Sequence, residues 1–66
     1  MIIKVNGQKR EMPERAHILE LLKTFNLSPR SILVERNGRA VFREAYEETF
    51  LEEDDKIELI KVVAGG

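Results

Sequence analysis

Residues 54–66 read DDKIELIKVVAGG, and the placement of the strand inside this stretch decides the fold. Asp54-Asp55 marks a turn. From Lys56 to Val63 the side chains alternate: Ile57 and Leu59 lie on one side with Glu58 between them, and Ile60 and Val62 fall on the other. That is the period of two expected of a strand. Two glycines follow, Gly65 and Gly66. Glycine costs more chain entropy to order than any other residue, so the pair is either slack or backbone that must fit where side chains cannot.

What precedes this strand determines where it can lie. SILVERNGRAVF (31–42) contains an apolar run, Asn37-Gly38, and a second strand through Val41 and Phe42. MIIKVNG (1–7) uses the same device: Met1, Ile3 and Val5 alternate with Ile2 and Lys4, and Asn6-Gly7 follows. Asn-Gly is the strongest short hairpin signal, because both central residues must take positive φ. Gln8 to Met12 reads as the returning strand, polar and at a sheet edge, and Pro13 stops it because proline has no N–H for a ladder.

Between the hairpins, HILELLKTFN (17–26) carries Ile18, Leu21, Leu22 and Phe25 at the spacing of one helix face. Glu20 near the start and Lys23 near the end match the helix dipole, and Asn26 suits a left-handed ending. His17 occupies a position more often given to Ser, Thr or Asp. It is read as local structure rather than a metal ligand, since zinc needs three or four grouped ligands. Tyr46, Phe50 and Leu51 are apolar anchors in an otherwise acidic stretch.

The order is thus strand, strand, helix, strand, strand, strand. Two hairpins flanking a helix suggest a sheet covered on one face by that helix. A crossover through the helix lets the last strand lie centrally, parallel to the first. This is an α+β architecture, the β-grasp (ubiquitin-like) arrangement, with a mixed sheet of four to five strands packed on one helix. The expected division is a body over residues 1–62 and a flexible tail over 63–66.

Composition narrows the function. In 66 residues there is no cysteine, which removes disulfides, thiolate metal sites and cysteine nucleophiles, and fits a cytoplasmic protein. The alternating start is unlike a signal peptide, and no apolar run approaches the length needed to span a bilayer. Eleven basic and twelve acidic residues leave a net charge of −1, which disfavours nucleic acid as a partner. From Glu44 to Asp55 the chain is acidic with no Lys or Arg, either a solvated edge or a docking surface for a basic partner. With one histidine and little volume for an enclosed site, an enzyme is not expected, nor is a bound cofactor or metal.

MIIKVNG, HILELLK, VERNGRAV and EEDDKIELIKVVAGG together resemble the ThiS/MoaD-type sulfur carriers over essentially the whole chain. The most specific element is the order charged turn, apolar strand, Gly-Gly. The resemblance implies that the Gly66 carboxylate is adenylated by an E1-like enzyme of the ThiF/MoeB kind and that a persulfide sulfur then replaces AMP. A thiocarboxylate would result, for a downstream sulfur-accepting synthase. Adenylation supplies a leaving group that a carboxylate lacks. Ala64, Gly65 and Gly66 would thread into the partner, where no Cβ collides at the glycines. Ala64 departs from the three-glycine ending common in the thiamine branch, whereas the short length and the absence of a Pro-Pro pair before the tail lean towards it.

Alternation also predicts a partner-binding face. If Ile3, Val5, Ile57 and Leu59 face the helix, then Ile2, Ile60 and Val62 face away, joined by Leu33. Such a patch is either scattered surface hydrophobics or a docking site. Alternatives of other classes remain: a molybdopterin or tRNA-thiolation carrier, a ubiquitin-like protein modifier, a module whose terminus is never activated, and a TGS-like domain that contacts RNA.

Overall fold

In the computed structural model, which describes residues 1–62, Asn6 and Gly7 take φ of 49° and 82°, and Asn37 and Gly38 take 52° and 84°. These are the left-handed values that a two-residue hairpin turn requires. A Cβ on Gly7 or Gly38 would meet nothing within 4 Å, so conformation rather than crowding calls for glycine at both places. The tail expected at 63–66 lies outside the described residues.

The first turn joins β1 (Ile2–Val5) to β2 (Gln8–Glu11), and the second joins β3 (Ile32–Arg36) to β4 (Arg39–Val41). The last strand, β5 (Lys56–Lys61), lies between the hairpins, parallel to β1 and antiparallel to β3. The sheet order is β2-β1-β5-β3-β4. This is the mixed β-grasp sheet expected from the order of elements.

Each turn asparagine also grips the central strand. Asn6 Oδ1 accepts the Leu59 N–H at 2.8 Å and its Nδ2 donates to the Leu59 carbonyl at 3.3 Å. Asn37 Oδ1 accepts the Lys56 N–H at 2.9 Å. Each side chain thus imitates a strand backbone just past the end of its own ladder. Replacing Asn6 with glycine keeps the turn conformation but removes both bonds. The expected loss is about 1–2 kcal/mol, read as a melting temperature lower by about 4–8 °C per kcal/mol.

Helix α1 (Ile18–Thr24) starts at His17. The His17 ring accepts the Glu20 N–H at 3.2 Å, and the Glu20 carboxylate accepts the His17 N–H at 3.3 Å, a reciprocal capping box built on histidine. At the other end Asn26 adopts φ 60°, while Leu27 N–H reaches the Leu22 carbonyl and Asn26 N–H that of Lys23. That pairing is the Schellman ending. Ile18, Leu21 and Leu22 press onto one face of the sheet against Ile3, Val34 and Ile57, all fully buried.

A 3₁₀ turn (Arg43–Ala45) follows β4. Tyr46 and Leu51 are buried, and the Tyr46 hydroxyl donates to the Ile32 carbonyl at 2.8 Å. Phe50, expected to anchor on the core, is instead exposed beneath the Arg15 guanidinium. The segment around it is extended, with Thr49 and Leu51 bonded to Ile18 and Ala16. Adjacent side chains in extended backbone point to opposite sides, so Leu51 entering the core turns Phe50 outward.

The acidic stretch also divides. Asp55 is buried and accepts from Arg36 Nε at 2.9 Å, Asn37 Nδ2 at 3.0 Å and the Glu52 N–H at 2.8 Å. Glu52 takes a second contact to Arg36 at 2.8 Å, and Glu53 accepts the Ile2 N–H. Glu44, Glu47, Glu48 and Asp54 are exposed.

Candidate functional site

Helix α1 covers one face of the sheet and leaves the other open. Register places side chains on that open face in rows across the strands. Leu33 lies directly opposite Ile60, and continuing the β3–β4 register sets Phe42 on the other side of Leu33. Phe42, Leu33 and Ile60 are 74%, 50% and 44% exposed, and together they border a shallow hollow of about 310 Å³. Val62, 40% exposed, lies one pleat beyond Ile60. Its N–H donates to the Ser31 carbonyl at 2.8 Å, so the β3–β5 register continues past the last residue of the strand.

Phe42 is the residue that sequence reading missed. Strand alternation through Ala40, Val41 and Phe42 carried the signal, since Val41 packs against the core and its neighbours must face away. Its backbone is steadied by Arg43, whose Nε and Nη2 donate to the Pro29 and Arg30 carbonyls at 3.0 and 3.2 Å.

Ile2 shares the open face but not the apolar row. The β1–β5 pairing sets Lys4 beside Lys56, which places Ile2 level with residue 54. From there to Ile60 is roughly 20 Å at about 3.3 Å per residue. Between them lie Glu35 opposite Glu58, then Lys9, Lys4 and Lys56 in one row. Alternation therefore assigned the face of Ile2 without its distance. Ala64, Gly65 and Gly66 lie outside the described residues.

Among the described residues no group of three or more His, Asp or Glu is placed to hold a metal ion. No helix among them is long and apolar enough to cross a membrane.

Residues 3–66 match the model of the ThiS family. The chain is 33% identical over 66 residues to a protein of Magnetococcus marinus named thiazole synthase, and spans 20% of that protein's length. It superposes on a crystal structure of the thiamine biosynthesis protein ThiS from Geobacter metallireducens with a TM-score of 0.85, 29% identity and full coverage of both chains. A solution structure of a thiamine biosynthesis protein from the same organism gives a TM-score of 0.80 at 29% identity, covering all of this chain and 88% of that one. A family match that runs from the first strand through both terminal glycines, on the same strand order and helix, means that this chain belongs to the ThiS family of ubiquitin-like sulfur carriers.

Proposed function

We propose that this chain carries sulfur for thiamine (thiazole) biosynthesis on the carboxylate of Gly66. An E1-like enzyme of the ThiF/MoeB kind adenylates that carboxylate with ATP. The outer sulfur of a donor protein's persulfide attacks the acyl carbon and expels AMP. A second thiol then cleaves the resulting acyl disulfide, ending as a disulfide with the donor cysteine and releasing a thiocarboxylate whose sulfur a thiazole synthase accepts. The body, residues 1–62, acts as the recognition unit, and residues 63–66 act as the arm that enters the partner. Ala64, Gly65 and Gly66 thread the channel, with no Cβ to collide at the last two. Leu33, Ile60 and Val62, together with Phe42, form the docking row, and Ile2 is an outlying contact on the same face.

The observation that carries this reading is the extent of the family match, which includes Gly65 and Gly66. The relative named thiazole synthase supports the choice of acceptor, because a segment like this chain forms part of that longer protein. The open apolar row supports docking, since small domains rarely leave such a cluster uncovered without a partner.

Intact-mass measurement tests the chemistry. After incubation with an E1-like enzyme, ATP and a sulfur donor, the chain is expected to gain the mass of a sulfur-for-oxygen exchange, confined to its C-terminal peptide. An unchanged mass, or a gain on an internal lysine, would reject the carrier mechanism.

A further inference from the structure

The open face carries a second feature that apolar docking does not use. Lys9, Lys4 and Lys56 are direct neighbours across β2, β1 and β5, all on the exposed side of the sheet. Strands are about 4.8 Å apart, so the row is about 10 Å long. No carboxylate oxygen among the described residues lies within 4.0 Å of any of these three ammonium groups. They converge on a small hollow of about 160 Å³ with Ile2 and Asp54. Like charges set directly opposite one another across strands destabilise a sheet. The fold thus holds three cations side by side with no direct carboxylate partner among the described residues.

The surroundings limit what the row fits. Glu58 and Glu35 form the next row towards the apolar cluster, and Asp54 and Glu11 flank Ile2 on the other side. Adjacent rows are only about 7 Å apart. A nucleic-acid backbone or an anionic lipid surface would extend over both acidic rows and be repelled there. A protein surface can instead place a few carboxylates in a band one row wide.

We propose that the Lys9–Lys4–Lys56 row receives a carboxylate cluster on the surface of the thiazole synthase, alongside the apolar contact made by Leu33, Ile60 and Phe42. This rests on the docking reading given under Proposed function. The row sets the direction in which the chain lies on its partner, because opposite charges about 13 Å from the apolar row fix rotation that a single hydrophobic contact leaves free.

Lys4→Glu places a carboxylate between two lysines, so it is expected to raise the melting temperature by up to about 4–8 °C. The same variant is expected to bind the thiazole synthase about tenfold more weakly at about 0.1 M salt. Most of that difference should vanish at about 1 M, where the Debye length is about 3 Å. Lys56→Glu should weaken binding in the same salt-dependent way, and it guards against an idiosyncrasy of one site. Ile60→Asp is measured alongside and should weaken binding at both salt concentrations.

If both lysine variants bind like the parent at low salt while Ile60→Asp binds weakly, the lysine proposal fails and the apolar docking reading stands. If Ile60→Asp binds normally while the lysine variants are weak, the apolar docking row fails, and with it the orienting role assigned to the lysines. Parent-like binding by all three rejects both. A salt-sensitive affinity for a nucleic-acid oligomer or for anionic phospholipid vesicles that Lys4→Glu abolishes, without change towards the synthase, would overturn the protein assignment.

Discussion

Deleting Gly65 and Gly66 is expected to abolish thiocarboxylate formation and sulfur transfer outright while leaving the melting temperature of the chain unchanged. Among the described residues the buried core runs from Ile3 to Ile57, with Leu59 packed at its margin, and a glycine has no side chain to add to it. On the proposed mechanism the deletion also removes the acyl group that the E1-like enzyme would adenylate. The truncated chain would end at Ala64, whose carboxylate lies two residues short. If the partner's reactive centre sits at the end of a channel, that shortfall of about 7 Å cannot be recovered. Parallel assays of adenylation and of thermal unfolding check both halves. A passive binding module would retain its activity after the cut, and that result would end the carrier reading.

The second large effect is on stability. Asp55→Ala is expected to destabilise the chain by about 3 kcal/mol, the lower end of the range for stripping one partner from a buried ion pair. The lower end applies because Arg36 keeps Glu52 at 2.8 Å and its side chain is 24% exposed. The Asn37 amide and the Glu52 N–H also lose their acceptor. Net stabilities of about 3–5 kcal/mol are typical of domains this small, so the variant should retain only about 0–2 kcal/mol and its urea midpoint should fall close to zero denaturant.

The same carboxylate predicts a pH dependence. Burial pushes the Asp55 pKa up, but hydrogen bonds from Asn37, the Glu52 N–H and Arg36, with the nearby guanidinium charge, outweigh it and hold the pKa below the ordinary 3.8. A carboxylate with a depressed folded pKa contributes stability that is fully present above its unfolded pKa and is lost as the pH falls through the folded value. The parent should therefore lose stability below about pH 4, a limb of the acid profile that Asp55→Asn should flatten. Unfolding midpoints measured between neutral pH and acid decide it.

The sequence showed Asp54 and Asp55 as one acidic pair in a turn. In the structure Asp54 is exposed with φ 68°, while Asp55 is 5% exposed and organises the junction of β3, the second hairpin and β5. Nothing local separates them, because the partners of Asp55 include Arg36 and Asn37, which reach it only after the sheet has assembled. The Asn-Gly turns have the same double character. Their conformation is a property of two residues, whereas their grip on Leu59 and Lys56 exists only once β5 has been inserted between them.

On its own, the sequence determined everything that depends on neighbours in the chain: both hairpins, the helix face, its Asn26 ending, and which residues of each strand share a side. The mixed sheet followed from the order of those elements, through the handedness of crossovers. Tertiary structure alone decided distance along the face. Alternation has a period of two and carries no information about how far one strand slides past another. Pairing Lys4 with Lys56 and Leu33 with Ile60 is what groups Phe42, Leu33 and Ile60, removes Ile2 to the other end, and lines up three lysines between sequence positions far apart.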